Sequence, residues 1–466
     1  LNRTIRLLVA VCGGLGLIAA TSRSSAEETT KPAAEYKAGV ATAKITPTEM
    51  MWLSGYAGRT KPAEGVEIDL FAKALAIEDR AGSRVVIVTT DLIGIPRRMR
   101  EAIEKGVQER YKLAPESLLL NASHTHCGPE LLTSEPSEFD FDAARVAQGR
   151  QYMARLTEQL VSIVGEAIEK RADAQLIYSH ARAGFAMNRR LPTKTGVENS
   201  PYPEGPVDQD VPVLQVKDAR GTLKAVLFGY ACHNTTLGYQ KFSGDYAGFA
   251  QQAIEELHPG VTALFLMGCG GDQNPYPRGE VSLCKHHGRT LALAVETALQ
   301  TKHVRPVGGP LRVGLETAVL QFSPAPPKED LQKLKDSKDR YDRRRGEVLL
   351  NELETLGKIN LEYPYPVQVL RLGNDITLVA LAGETVVDYS LRLKKELKGP
   401  AEVWVAGYSN DVFGYVPSRR VLEEGGYEGV GAMRYTVHPG PFEASVEERI
   451  IDSVHRLVKQ TAAAAK

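Results

Sequence analysis

The sequence has no surplus of charge: 57 lysines and arginines balance 57 aspartates and glutamates, a formal net charge of zero over 466 residues. It also has no basic cluster interleaved with aromatics, so the electrostatic footprint of a nucleic-acid-binding protein is missing and no such partner is expected. Only five cysteines occur, and their spacing fits no cysteine-based zinc module. The one long apolar run, Leu7 to Ala20, is too short for a comfortable membrane span. Arg3 and Arg6 precede it and small polar residues follow, so residues 1–26 read as a cleaved signal peptide, with an uncleaved anchor as the alternative. A secreted or periplasmic location is therefore expected. There Cys127, Cys232, Cys269 and Cys284 could be bridged, line a site or act as small buried fillers, and filler is the preferred reading for most.

What remains is ordinary globular composition, 43% hydrophobic and 24% charged, with no internal repeat and no clear linker. Residues 27–36 read as a flexible leader, 37–461 as one large catalytic domain and 462–466 as a frayed tail. Apolar runs predict strands at Lys37–Ala43, Lys73–Ile77, Arg84–Asp91, Ser117–Ser123, Val213–Val216, Ala225–Tyr230, Thr262–Met267, Val367–Leu372, Ile376–Leu381 and Glu402–Ala406. Helical spacing marks Met99–Tyr111, Tyr152–Arg171, Gly248–Leu257, Leu283–Gln300 and Ala444–Gln460. The densely charged stretch Lys328–Lys358 reads as a solvated helix or helical pair. The class is α/β: mixed sheets flanked by helices.

The chemistry concentrates where strands meet loops. Asn121-Ala-Ser-His-Thr-His-Cys-Gly-Pro129 places two imidazoles directly after a buried run. If the extended conformation continues through it, His124 and His126 share a face. His233 follows the strand ending near Tyr230, Glu384 follows the one ending at Leu381, and Tyr415 lies after Glu402–Ala406. Asp91, Asp245 and Asp272 sit at similar ends. Two histidines and a carboxylate from different strands suit a borderline ion such as zinc. Taken singly, each has a bland reading: His233 as a bonded core histidine, Glu384 as a helix-capping acid, Tyr415 as a core ring.

Together these stretches resemble the catalytic domain of the neutral/alkaline non-lysosomal ceramidases, zinc-dependent amidases. The likeness runs from about Gly39 to Tyr435 through Ser54-Gly-Tyr-Ala57, Ser123-His-Thr-His126, Asn188-Arg189, Ser243-Gly-Asp245, Gly271-Asp272, Gly383-Glu384, Gly414-Tyr415 and Tyr427-Glu428. It implies Zn2+ held by His124, His233, Glu384 and Tyr415, with His126, Arg189 and Tyr427 contacting the scissile amide or its oxyanion. Asp91, Asp245 and Asp272 would orient the ligand imidazoles from behind. The implied substrate is ceramide or another N-acyl compound, cleaved by a metal-activated water, with peripheral membrane contact and no protein partner. A polar amide or ester substrate for the same fold is the alternative. Asn274 stands where the family carries a serine, so that position can contact substrate but cannot be an acylated nucleophile. No C-terminal immunoglobulin-like domain is expected.

Overall fold

The strands are continuous apolar runs because both of their faces are covered. Within Arg84–Thr90, Val85 and Ile87 point to one side and Val86 and Val88 to the other, and all four are fully buried. The two-residue alternation of a strand thus separates two cores instead of dividing core from solvent. A computed structural model, which describes residues 35–131 and 141–463, shows what lies on each side. The expected signal peptide, the leader up to residue 34 and the last three residues of the expected tail lie outside the described residues.

In chain order, the main sheet takes β1 (Tyr36–Lys44), β2 (Phe71–Asp79), β3 (Arg84–Thr90), β4 (Leu118–Ala122) and β5 (Ala172–Arg182). A hairpin of β6 (Ala186–Thr193) and β7 (Gly196–Tyr202) leaves it, and β8 (Asp210–Asp218), β9 (Leu223–Tyr230) and β10 (Thr262–Met267) return. Short β11 (Gln273–Pro275) pairs with β6, and β12 (Arg305–Val307) with β5. The order across is β10-β9-β8-β5-β1-β2-β3-β4, with parallel pairs only at the two ends, β9 with β10 and β3 with β4. Those ends pack together, and one side chain bridges their backbones. Asn121 of β4 accepts from the Met267 N–H at 2.9 Å and donates to the Gly407 carbonyl at 2.8 Å, standing in for missing backbone pairing.

A second sheet is formed by β13 (Arg312–Gln321), β14 (Glu362–Leu372), β15 (Ile376–Leu381) and, after short β16 (Glu384–Thr385), β17 (Glu402–Ala406). It lies face to face on the first, packing Leu370, Leu378 and Trp404 against Leu75, Ile87 and Leu264. Each such aliphatic side chain contributes roughly 1.5–3 kcal/mol by leaving water. β18 (Tyr415–Val416) pairs in parallel with β16. On the outer face of the main sheet lie α1 (Arg97–Tyr111), α2 (Ala143–Glu169), α3 (Asp245–Leu257) and α4 (Val281–Gln300). The segment Lys328–Lys358 is a helical pair, α5 (Lys328–Lys335) and α6 (Arg340–Leu356), and is not wholly solvated: Leu331, Leu349 and Leu350 form a small buried cluster between them. After α7 (Val387–Glu396) come the short α8 (Arg419–Glu424) and α9 (Gly426–Gly429), then α10 (Val446–Ala463), which with α7 covers the second sheet. The layers run helix, sheet, sheet, helix, in the mixed α/β class the sequence predicts.

Several element ends differ from expectation: Tyr36 already pairs in β1, α2 begins at Ala143 instead of Tyr152, β14 begins at Glu362 instead of Val367, and α10 runs on to Ala463. The four cysteines among the described residues are free and buried, as fillers. No helix among the described residues is long and apolar enough to cross a membrane.

Candidate active site

The His-x-His motif does not continue as a strand. β4 ends at Ala122, and His124 turns into the left-handed region at φ 64°. That conformation costs a non-glycine residue roughly 1–2 kcal/mol, and the surroundings fix it. The His124 N–H donates to the Leu92 carbonyl at 2.9 Å, and its ring Nδ1 meets the Ile93 carbonyl at 2.6 Å. The imidazoles still converge, with the His126 and His124 Nε2 atoms 3.1 Å apart. A turn brings them together, not the shared face of a strand. Gly55 makes room for this: a Cβ there would stand 2.5 Å from the His126 ring, and its own φ of 94° suits only glycine.

His233 enters from the loop after β9, its Nδ1 2.6 Å from the Gly270 carbonyl. Glu384 and Tyr415 face each other in register across the β16–β18 pair. The Glu384 Oε2 atom lies 3.1 Å from His124 Nε2 and 3.2 Å from His233 Nε2, and the Tyr415 hydroxyl lies 3.2 Å from His233 Nε2. A carbonyl only accepts, so Ile93 and Gly270 fix the proton of each ring on Nδ1 and leave a lone pair on each Nε2. Burial, with Arg189 beside it, pushes the His233 imidazole down to about 4, so it stays neutral. Two imidazole lone pairs and a carboxylate oxygen therefore converge, and that oxygen is buried without a hydrogen-bond donor. Such a set of acceptors fits a bound cation, and its nitrogen and oxygen donors suit zinc. His124, His126 and His233 also form a group whose donor atoms lie within 4.8 Å of one another.

Behind Tyr415 lies a buried charge network. Arg189 donates to the Tyr415 hydroxyl at 2.8 Å, to Asn274 Oδ1 at 3.1 Å and to Glu428 Oε1 at 2.7 Å. Arg190 donates to the other Glu428 oxygen at 2.8 Å. Asn274 also accepts from Thr235 at 3.2 Å.

In front of the donors opens a cavity of about 550 Å³, lined by His124, His126, Glu384, Tyr415 and Tyr427, with Tyr56, Phe413 and Val412 among its apolar walls. Arg189 and Asn274 do not line it; they open on a neighbouring cavity of about 270 Å³. Burial pushes the Tyr427 phenol above its usual value, keeping its proton available to donate. Burial, with the neighbouring imidazoles, drives His126 well below the usual histidine range, so it is a neutral ring.

The three aspartates do not touch the imidazoles. Asp91 accepts from the Phe71 N–H and from Gln251, Asp245 from the N–H groups of Thr236, Leu237 and Tyr246, and Asp272 from the Val387 N–H and Asn188. They tie loops together, while backbone carbonyls orient the rings. Two neighbours were not singled out from the sequence. Tyr408 packs its ring 4.5 Å from that of His124, and Tyr56 packs 4.7 Å from that of His126. Ser54-Gly-Tyr-Ala57 carries a trace of the second; nothing local marks the first.

Comparison with known proteins gives a consistent result. The family model described as neutral/alkaline non-lysosomal ceramidase, N-terminal, matches residues 36–290. A neutral ceramidase of Drosophila pseudoobscura pseudoobscura is 24% identical over 258 residues, 53% of this chain and 34% of its own. That of Pseudomonas aeruginosa is 23% identical over 252 residues, 52% of this chain and 37% of its own. The chain thus spans about a third of the length of the curated relatives it matches. A solved structure titled as a ceramidase complexed with C2 superposes with a TM-score of 0.71 at 19% identity, covering 92% of this chain and 76% of that one. The Pseudomonas aeruginosa neutral ceramidase structure gives 0.70 at 20%, covering 92% and 75%. At these identities the structures speak for the fold.

Proposed function

Because the chain belongs to the neutral/alkaline non-lysosomal ceramidase family, we propose that it is a zinc-dependent amidohydrolase that cleaves the amide bond of ceramide or a related N-acyl lipid. The observation that carries this reading is the convergence of His124 Nε2, His233 Nε2 and Glu384 Oε2, with the Tyr415 hydroxyl, at a cavity that His124, Glu384 and Tyr415 line. His124, His233, Glu384 and Tyr415 would hold the ion, which supplies Lewis acidity and lowers the pKa of a bound water toward about 7. His126, with its Nε2 beside that of His124, would shuttle the proton of the attacking water to the leaving amine. The protonated Tyr427 phenol donates to the developing oxyanion, worth about 3 kcal/mol for a well-placed donor. Arg189 acts through Tyr415, holding its oxygen from behind. No serine nucleophile is needed, so Asn274 is compatible with this chemistry.

Guanidinium groups in the cavity wall favour a second reading, in which the same centre takes a more polar amide or ester. The signal-like residues 1–26 fit export to the periplasm or the medium, and a lipid substrate fits peripheral membrane contact.

The test is metal content together with hydrolysis of a panel from ceramide to short N-acyl amines, with and without chelator. Stoichiometric zinc and chelator-sensitive ceramide cleavage are expected, and His233→Ala should lose both. Zinc with no ceramide cleavage would transfer the reading to the polar substrates. A protein without metal that still cleaves amides would refute it.

A further inference from the structure

The geometry points to an anion subsite in the outer wall of the cavity, centred on Arg340, that takes a carboxylate carried by the substrate away from its scissile amide. This inference rests on the amidohydrolase reading above.

The charges lining the cavity are Arg59, Arg145, Arg340, Glu130 and Glu384. Arg145 and Glu130 cancel in a two-pronged pair at 2.8 Å for each bond. Glu384 turns into the cation site. Two guanidinium groups remain without a carboxylate partner among the described residues. Arg59 is nevertheless spent, because it donates to the carbonyls of Tyr239 and His126 and to the Gln240 side chain. Arg340 is not. It uses only Nη2, donating to the Ala57 carbonyl at 3.1 Å and to the Tyr341 hydroxyl at 2.8 Å. Its Nε and Nη1 donors are engaged by no described residue.

The carboxylates nearest to it in sequence are already committed. Asp339 caps α6 by accepting from the Tyr341 and Asp342 N–H groups, and Arg434 lies 3.1 Å from both Asp339 and Asp342. The guanidinium is also held in place. The Tyr341 and Phe141 rings flank it, with centroids at 4.8 Å and 5.7 Å. A guanidinium packed near two rings, with its Nε and Nη1 hydrogens unpaired, can still draw a carboxylate into a charge-assisted hydrogen bond. Low-dielectric walls strengthen the attraction, and the ion expected at the cavity floor adds to the positive field. Adjacent residues of one loop link Arg340 to the reacting centre. Arg340 grips Ala57, and the neighbouring Tyr56 packs on His126. Between them the wall is aromatic and aliphatic, suited to a methylene spacer. The substrate class is therefore an N-acyl amide with a carboxylate at the end of an apolar linker.

The experiment uses the metal-loaded protein and paired probes, N-hexanoyl amides of ω-amino acids with two to eight methylenes and of the matching amino alcohols. At one linker length the acid should show a KM at least about tenfold below the alcohol, the scale of one charge-assisted hydrogen bond, with similar kcat. Arg340→Gln should bring that ratio to about one and leave turnover of the alcohol unchanged. Arg340→Lys should restore part of it. An absent acid preference at every length, or a preference that survives in Arg340→Gln, would overturn the subsite. If neither series is cleaved, the amidohydrolase reading is judged separately, on chelator-sensitive cleavage of ceramide. Calorimetric binding of the same acids to the two proteins then decides the subsite by the same ratio.

Discussion

Replacing Glu428 with glutamine tests whether the charge network behind Tyr415 holds the site. The Glu428 side chain is 1% exposed and is bonded at 2.7 Å to Arg189 and at 2.8 Å to Arg190. Glutamine keeps the volume and one acceptor but removes the charge. Breaking a buried ion pair from one side costs about 3–5 kcal/mol, because the partner's charge is left uncompensated. Arg190 retains Glu424 at 3.0 Å. Arg189 retains only the neutral oxygens of Asn274 and Tyr415. The low end applies, about 3 kcal/mol, and most of it belongs to Arg189. Urea unfolding of wild type and Glu428→Gln at pH 7 reads this directly, and chelator competition reads the hold on the metal. The pH dependence has a definite sign. Burial alone would raise the Glu428 carboxyl, but the two arginines hold it below its usual range. A depressed folded-state value means the contribution is fully present above the unfolded value of about 4.3 and fades as the pH falls through the folded one. The gap between the two proteins should therefore close in acid. A loss below about 1 kcal/mol at pH 7, with an unchanged urea slope, would show a solvated pair and refute the reasoning.

Asp91 behaves in the opposite sense. Burial raises its carboxyl from 3.8 to about 6 in spite of its two hydrogen bonds, so the folded state holds the proton more tightly and stability falls as pH climbs through that window. Asp91→Asn should flatten thermal stability between about pH 4 and pH 6, and parallel melting curves would contradict this. Gly55→Ala sets a methyl group 2.5 Å from the His126 ring. It should lower turnover while zinc content stays normal, since His124, His233 and Glu384 are untouched; undiminished turnover would remove His126 from the reaction.

Much of the fold was legible because burial on two faces writes itself as an uninterrupted apolar run. Thr262–Met267, Ile376–Leu381 and Glu402–Ala406 are strands to the residue. β7 carried no such mark, since most of its residues face solvent. His124, His233, Glu384 and Tyr415 drew notice as chemically capable residues near strand ends, but only the family resemblance joined them into one proposed ligand set. The groups that aim them drew none. Any residue supplies the carbonyl that Ile93 and Gly270 provide, and the left-handed turn at His124 depends on partners distant in sequence. Arg340 lay in a segment read as a solvated face, where a single arginine pointing into a cavity looks like its neighbours.

The site draws its parts from both sheets. His124 and His233 come from loops of the main sheet, Glu384 and Tyr415 from the β16–β18 pair beyond the second. If the proposed ion is held by all four, it would act as a rivet through two plates, closing a loop from His124 to Glu384. Neither plate alone carries the hole. A chain with the main sheet seated and the second loose would offer only the two imidazoles of the proposed set, so loading and chemical competence would arrive together as the sheets close. On the proposed reading, partly folded molecules would be inert, and metal retained would report on the seam between the sheets.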